Sequence, residues 1–178
     1  MSEIHTMPGH IIRRLQQISS SIFAQHMRDA GFDLTSPQFA ALSILQDQPN
    51  IDQATLASAI AIDRATIGGI VNRLVAKGLV QRQTNSQDRR ARVLSLTDEG
   101  HRILTRLHPL VQNVQDIILQ NLTAEETRGF MRLAAKISWK NSFTSQRCPS
   151  HPTDDRQIYT KSSQQPPDLS KIHLIVRM

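Results

Sequence analysis

Between Asp52 and Gly78 the chain has to form two short helices with almost nothing between them, and few folds accommodate that arrangement. Asp52 stands as a cap before Leu56, Ala57 and Ile60, which face inward together, and Ala61-Ile62 leaves room only for a tight turn. Asp63 caps a second helix in which Ile67, Ile70, Val71, Leu74 and Val75 recur at three-four spacing, and Gly78 supplies its C-terminal stop. Two helices so joined make a helix-turn-helix.

The flanking segments complete the plan. From about Pro8 to Ala30, Ile11, Leu15, Ile18 and Ile22 fall on one helical face beside Ile12 and Phe23, an amphipathic helix that Gly31 ends. In Leu34-Thr35-Ser36-Pro37-Gln38, Ser36 is expected to cap a second helix with Pro37 in its first turn. That helix should run to about Gln46 and bury Phe39, Leu42 and Leu45. After Gly78, segments 79–83 and 92–96 alternate as strands around the polar tip Asn85-Ser86-Gln87-Asp88-Arg89-Arg90, a β-hairpin wing. Thr97 with Asp98 and Glu99 starts a long helix through Leu104, Leu107, Val111 and Val114, kinked at Pro109 and ending near Asn121. A Thr123/Glu126 capping box opens a last helix through Phe130, Leu133, Ala134 and Ile137 to about Trp139. The expected class is mainly α: a winged helix-turn-helix of six helices and one β-hairpin. Residues 141–178, rich in Ser, Thr, Gln and Pro, read as a mostly disordered tail.

Charge placement says more than its total. The net charge is +6, and residues 73–106 alone hold eight basic side chains against three acidic ones. Such a stretch is either a surface meeting phosphates or an ordinary solvated basic face. Enzyme chemistry is not indicated, because the seven histidines form no H-x-x-x-H or H-E-x-x-H pattern and no G-x-S-x-G or P-loop glycine run occurs. No cofactor or metal is expected, and polar residues interrupt every apolar stretch before it could span a membrane. With one cysteine, Cys148, and no secretory pattern at Met1, a cytoplasmic location is expected.

The helix from Asp63 to Lys77 turns Arg64, Ala65, Thr66, Gly68, Gly69, Asn72, Arg73 and Ala76 outward. Two glycines inside a helix cost roughly 1 kcal/mol each relative to alanine, so something must come close: a DNA major groove, or another helix of the same protein. Arg64, Thr66, Asn72 and Arg73 can donate to bases or phosphates, as can free amides at the helix start. At the wing, Asp88 can hold Arg90 in a pose suited to a minor groove while Arg89 and Arg92 meet phosphates; a solvated turn salt bridge is the plainer reading.

Taken together, Leu56-Ala57, Asp63-Arg64-Ala65-Thr66, Asn72 through Val80, and Asp88-Arg89-Arg90 running on to Leu94-Ser95-Leu96-Thr97-Asp98-Glu99-Gly100 resemble the MarR family of winged-helix regulators. The resemblance spans about residues 8–140. It implies a DNA-binding homodimer with dimerisation helices at about 8–30 and 98–139 and a winged helix-turn-helix at about 35–97. It further implies recognition helices in two successive major grooves, and ligand pockets between the dimer region and the DNA-binding lobe. Met7 to Leu15 with Gly31 to Thr35 resembles the branch that senses aromatic acids, nicotinate-pathway compounds among them. His10 and Arg14, four apart beside the apolar row, would then bind a small aromatic carboxylate, with Ser36, Gln38 and Phe39 completing the pocket in the family's geometry. Alternatively Arg14 pairs with an acidic residue of a partner chain and His10 packs. Two other readings remain: a redox-responsive regulator acting through Cys148, and a winged helix that binds proteins rather than DNA.

Overall fold

The free amides at each helix start select the boundaries. In the computed structural model, which describes residues 3–84 and 92–141, Asp52 Oδ1 accepts from the Thr55 amide at 2.7 Å and Asp63 Oδ1 from the Thr66 amide at 2.8 Å. These caps open α3 (Gln53–Ala59) and α4 (Arg64–Ala76), whose axes are bent by 106° across the turn. The turn is a Schellman motif: the Ile62 amide reaches Ala57 O at 2.9 Å and the Ala61 amide Ser58 O at 3.2 Å. Ala61 takes the left-handed position, φ 53°, where a side chain is disfavoured. The tight join therefore stores some strain.

Among the described residues six α-helices and one hairpin form, as the spacing predicts, and a short 3-10 turn at Glu3–Thr6 precedes them. The first helix, α1 (Pro8–Asp29), ends at Gly31, φ 76°, and α2 spans Ser36–Asp47. Ser36 is not the cap of α2. Thr35 holds the extended cap geometry, Ser36 is already helical, and Gln38 Oε1 reaches back to accept the Thr35 amide at 3.0 Å. Proline explains the shift: it fits either of the first two helical positions, so the chain enters the helix one residue earlier.

Strands β1 (Val80–Thr84) and β2 (Arg92–Leu96) pair antiparallel with Val80 opposite Leu96 and Arg82 opposite Leu94. A third strand fragment was not anticipated: Ile51 bridges Leu94, with the Leu94 amide on Ile51 O at 2.8 Å and the Asn50 amide on Leu94 O at 2.9 Å. It anchors the base of the wing to the helix-turn-helix. The long helix α5 (Asp98–Leu119) carries Pro109 within it unbroken. Thr123 and Glu126 form the expected capping box ahead of α6 (Ala124–Asn141).

The described residues divide into two units, the first ending at Gln120 and the second beginning at Asn121. The core of the first unit joins Met27, Leu42, Leu56, Leu74, Leu94 and Leu104, all nearly inaccessible. Of the apolar row on α1, Phe23 and Met27 enter this core, whereas Ile11, Ile12, Leu15 and Ile18 stay 44–56% exposed. In the second unit Phe130, Met131 and Leu133 are exposed on α6. No single described helix is long and apolar enough to cross a membrane.

Gly100 is where the helices and the wing are locked together. A Cβ built there would lie 2.2 Å from the Leu79 carbonyl oxygen, a backbone atom that cannot swing aside. Gly100→Ala is expected to lower unfolding free energy by about 1–3 kcal/mol in urea titrations. The two caps of the helix-turn-helix make a second expectation. The Asp52 carboxyl is held below the usual value chiefly by the Thr55 amide, and that of Asp63 chiefly by the Thr66 hydroxyl and then its amide. Lowered folded-state values mean that the stabilisation is complete above the unfolded value, near about 4, and is lost as pH falls through the lower folded value. Urea midpoints should hold from neutrality to about pH 5 and fall below about pH 4. Asp63→Asn, which still caps, should flatten that fall.

Candidate nucleic-acid interface

Helix α4 divides largely as its periodicity requires: Ile67, Ile70, Val71 and Leu74 are buried and Val75 is half-buried against them, while Arg64, Ala65, Thr66, Gly69, Asn72, Arg73 and Ala76 are exposed. Gly68 is half-buried. The two glycines are not packing sites within the described fold. A Cβ at Gly69 would have nothing within 4 Å, and one at Gly68 would meet only Gln53 Nε2 at an ordinary 3.6 Å. Internal helix packing therefore does not account for them, which leaves close approach from outside.

Two expectations for this face change in detail. Thr66 Oγ1 donates to Asp63 Oδ2 at 2.7 Å, so its proton is spent inside the cap and its oxygen remains as an acceptor. The Asp63 carboxylate also takes the Thr66 amide. The start of α4 is thus occupied by a negative charge and is not the open phosphate cradle expected from its free amides.

The basic stretch 73–106 separates into two groups. Lys77 donates to both the carbonyl and the carboxylate of Asp33, the latter at 2.6 Å, and Lys77 holds the Asp33 carboxyl below its usual range. Arg102 pairs with Glu99 at 2.8 Å, and the Arg106 guanidinium lies 5.1 Å over the Phe32 ring. These three charges serve the fold. Arg73, Arg82 and Arg92 are exposed, as is Arg64 before them, and none has an ion pair among the described residues. Asp88, Arg89 and Arg90, expected to act at the wing tip, lie outside the described residues, as do Cys148 and the tail after Asn141.

Arg82 is the residue that sequence patterning missed. Its Nη2 donates to Asn72 Oδ1 at 2.6 Å, tying β1 to the exposed face of α4. Strand alternation marks it only as a surface position, and nothing in the spacing says that the chain returns along α4 after Gly78.

The five residues expected to hold a ligand fall into two groups. His10 and Arg14 share an open concavity of about 460 Å³ on α1 with Ile4, Arg13 and Gln17. Arg13 and Gln17 could have been found from the spacing, since they lie three and seven residues along the helix from His10. The His5 ring sits 5.4 Å from that of His10. Ser36, Gln38 and Phe39 do not line this concavity. Gln38 is buried and bonded to the Thr35 amide, and Phe39 packs between Phe23 at 6.0 Å and His108 at 6.3 Å.

Comparison with known proteins agrees with this geometry. The MarR family profile matches residues 34–91. The HTH-type transcriptional repressor NicR of Pseudomonas putida is 36% identical over 129 residues, covering 72% of this chain and 80% of that protein. The PcaV transcriptional regulator from Streptomyces coelicolor, solved with its natural ligand, superposes with a TM-score of 0.70 at 34% identity, covering 78% of this chain and 96% of that one. BpsR of Bordetella bronchiseptica, whose DNA binding is regulated by 6-hydroxynicotinic acid, superposes with a TM-score of 0.69 at 30% identity, covering 74% and 93%.

The glycine pair supplies a discriminating measurement. With nothing near its Cβ position, Gly69→Ala is expected to raise unfolding free energy by about 0.5–1 kcal/mol. The same methyl should weaken duplex binding at least several-fold. A variant both more stable and equally tight on DNA would mean that no groove floor approaches this helix.

Proposed function

The chain belongs to the MarR family of winged-helix transcription regulators, and on that premise we propose that it is a ligand-responsive repressor. It binds a palindromic operator as a homodimer and is released from it by a small aromatic acid. One observation carries the reading: the outward face of α4 is bare at Gly69, where a Cβ would meet no described atom within 4 Å, and is flanked by exposed guanidiniums of Arg64 and Arg73. A helix with a low centre and cationic ends fits a major groove, where Arg64, Arg73 and Asn72 reach bases or phosphates. The wing residues Asp88, Arg89, Arg90 and Arg92 are assigned to the adjoining minor groove and its phosphates.

Two recognition helices must stand about 34 Å apart to meet successive half-sites, and a homodimer sets that spacing. The exposed row Ile11, Ile12, Leu15 and Ile18 supports an interface through α1, since apolar surface of this kind on one face of a helix favours burial. The ligand is placed at His10, Arg13 and Arg14. Three groups able to carry positive charge offer the carboxylate charge-assisted hydrogen bonds, and Ile4 lines the same concavity beside the ring. Aromatic acids of the 6-hydroxynicotinate kind, which regulates BpsR, suit this arrangement. Bound ligand favours a dimer whose helices no longer match the half-sites.

Fluorescence anisotropy on operator duplex tests both parts. Arg73→Ala should weaken binding and reduce the salt slope by about one if Arg73 meets a phosphate. Nicotinate- or benzoate-type acids should release the wild type, and Arg14→Ala should bind DNA normally yet resist release. Insensitivity of the wild type to every such acid would remove the ligand assignment. Failure to bind any duplex at low ionic strength would remove the DNA-facing role.

A further inference from the structure

We propose that Arg82 determines specificity by engaging the side-chain oxygen of Asn72, which orients that amide so that it meets the base edge it faces chiefly as a donor. The inference rests on the proposed seating of α4 in a major groove. Arginine has five N–H donors and no acceptor, so the Asn72 atom 2.6 Å from Nη2 has to be oxygen, and the orientation of the amide is settled by chemistry.

Backbone geometry builds this contact. At the end of α4 the Leu79 amide bonds Leu74 O at 3.0 Å and the Gly78 amide bonds Val75 O at 2.9 Å, with Gly78 at φ 69°. This reversal sends β1 back past the last turns of α4, where Arg82 meets Asn72. Arg82 is opposite Leu94, which is bonded on its other edge to Ile51 and Asn50. The guanidinium therefore springs from the anchored part of the wing and not from its tip.

An unengaged asparagine recognises adenine with two bonds, accepting from N6 and donating to N7. Arg82 takes one lone pair of Oδ1 and fixes the orientation of the amide, which disfavours the paired contact with adenine N6 and N7, while both Nδ2 hydrogens remain to be donated. They suit groups that accept: guanine N7 and O6, thymine O4, or a phosphate oxygen. Arg82 retains further donors for a phosphate of its own, because no described carboxylate pairs with it. One arginine then does two separable things, a sequence-blind contact and the suppression of adenine reading by its neighbour.

A double-mutant cycle separates them. Wild type, Arg82→Ala, Asn72→Ala and the double variant would each be used at fixed salt to select from a pool of duplexes with randomised sequence, and the bound fraction sequenced. Both substituted positions are exposed, and unfolding midpoints confirm that each variant is folded. The expected result for Arg82→Ala is a uniform loss of affinity plus a rise of roughly fivefold or more in adenine over guanine at one position per half-site. In the Asn72→Ala background the uniform loss should persist and the base shift should vanish. Unchanged base ratios in Arg82→Ala would overturn the proposal, leaving Arg82 as a phosphate contact alone. A shift equally large without Asn72 would also overturn it, since Arg82 would then read the base itself. Absence of any selection by the wild type would instead strike the seating of α4, and with it this inference.

Discussion

Helix α4, the wing and the long helix α5 are joined at one knot made by backbone atoms and the Thr97 hydroxyl. Thr97 Oγ1 donates to Gly78 O at 2.6 Å and accepts the Gly100 amide at 3.0 Å, while the Thr97 amide donates to Leu79 O at 3.1 Å. Gly100 completes the knot, because the absence of a Cβ lets the first turn of α5 lie directly on the Leu79 carbonyl. Backbone groups cannot change rotamer, so the angle between α4 and the hairpin is not open to adjustment by side-chain repacking. The proposed seating of α4 and the wing in adjoining grooves depends on such an angle.

Electrostatics on that scaffold are divided by geometry. Lys77, Arg102 and Arg106 are engaged at the surface by Asp33, Glu99 and Phe32, whereas Arg64, Arg73, Arg82 and Arg92 have no ion pair among the described residues. The exposed ion pairs contribute little stability individually. What they do is remove charges from the count that a nearby polyanion would feel. Asp63 has a related effect: in stabilising α4 by capping, it places a carboxylate at the helix end where a phosphate would otherwise be drawn. On the proposed seating of α4, this moves recognition toward the middle of the helix and the adjacent strand.

Much of this was legible along the chain. Caps at Asp52, Asp63, Thr97 and Thr123 are local events, since each oxygen bonds an amide three residues away, and they were readable as residue types at fixed spacing. The inward set of α4 follows from the helical repeat. The cap of α2 was misplaced by one residue because Thr35 and Ser36 offer similar hydroxyls, and the deciding contact is the return of Gln38 to the Thr35 amide. Nothing in the sequence marks the strand bridge at Ile51, because a single bridge has no periodicity to reveal it.

Sequence by itself therefore determined the order of elements, the face that α4 turns outward and the family to which the chain belongs, all of which depend on patterns repeated within a few residues. Tertiary structure alone decided which arginines are spent internally, that the paired glycines lack a packing role in their own fold, and that Arg82 meets Asn72. The reason is physical: these outcomes depend on how the chain reverses at Gly78 and where β1 then runs, and contacts made after a reversal leave no spacing in the text of the chain.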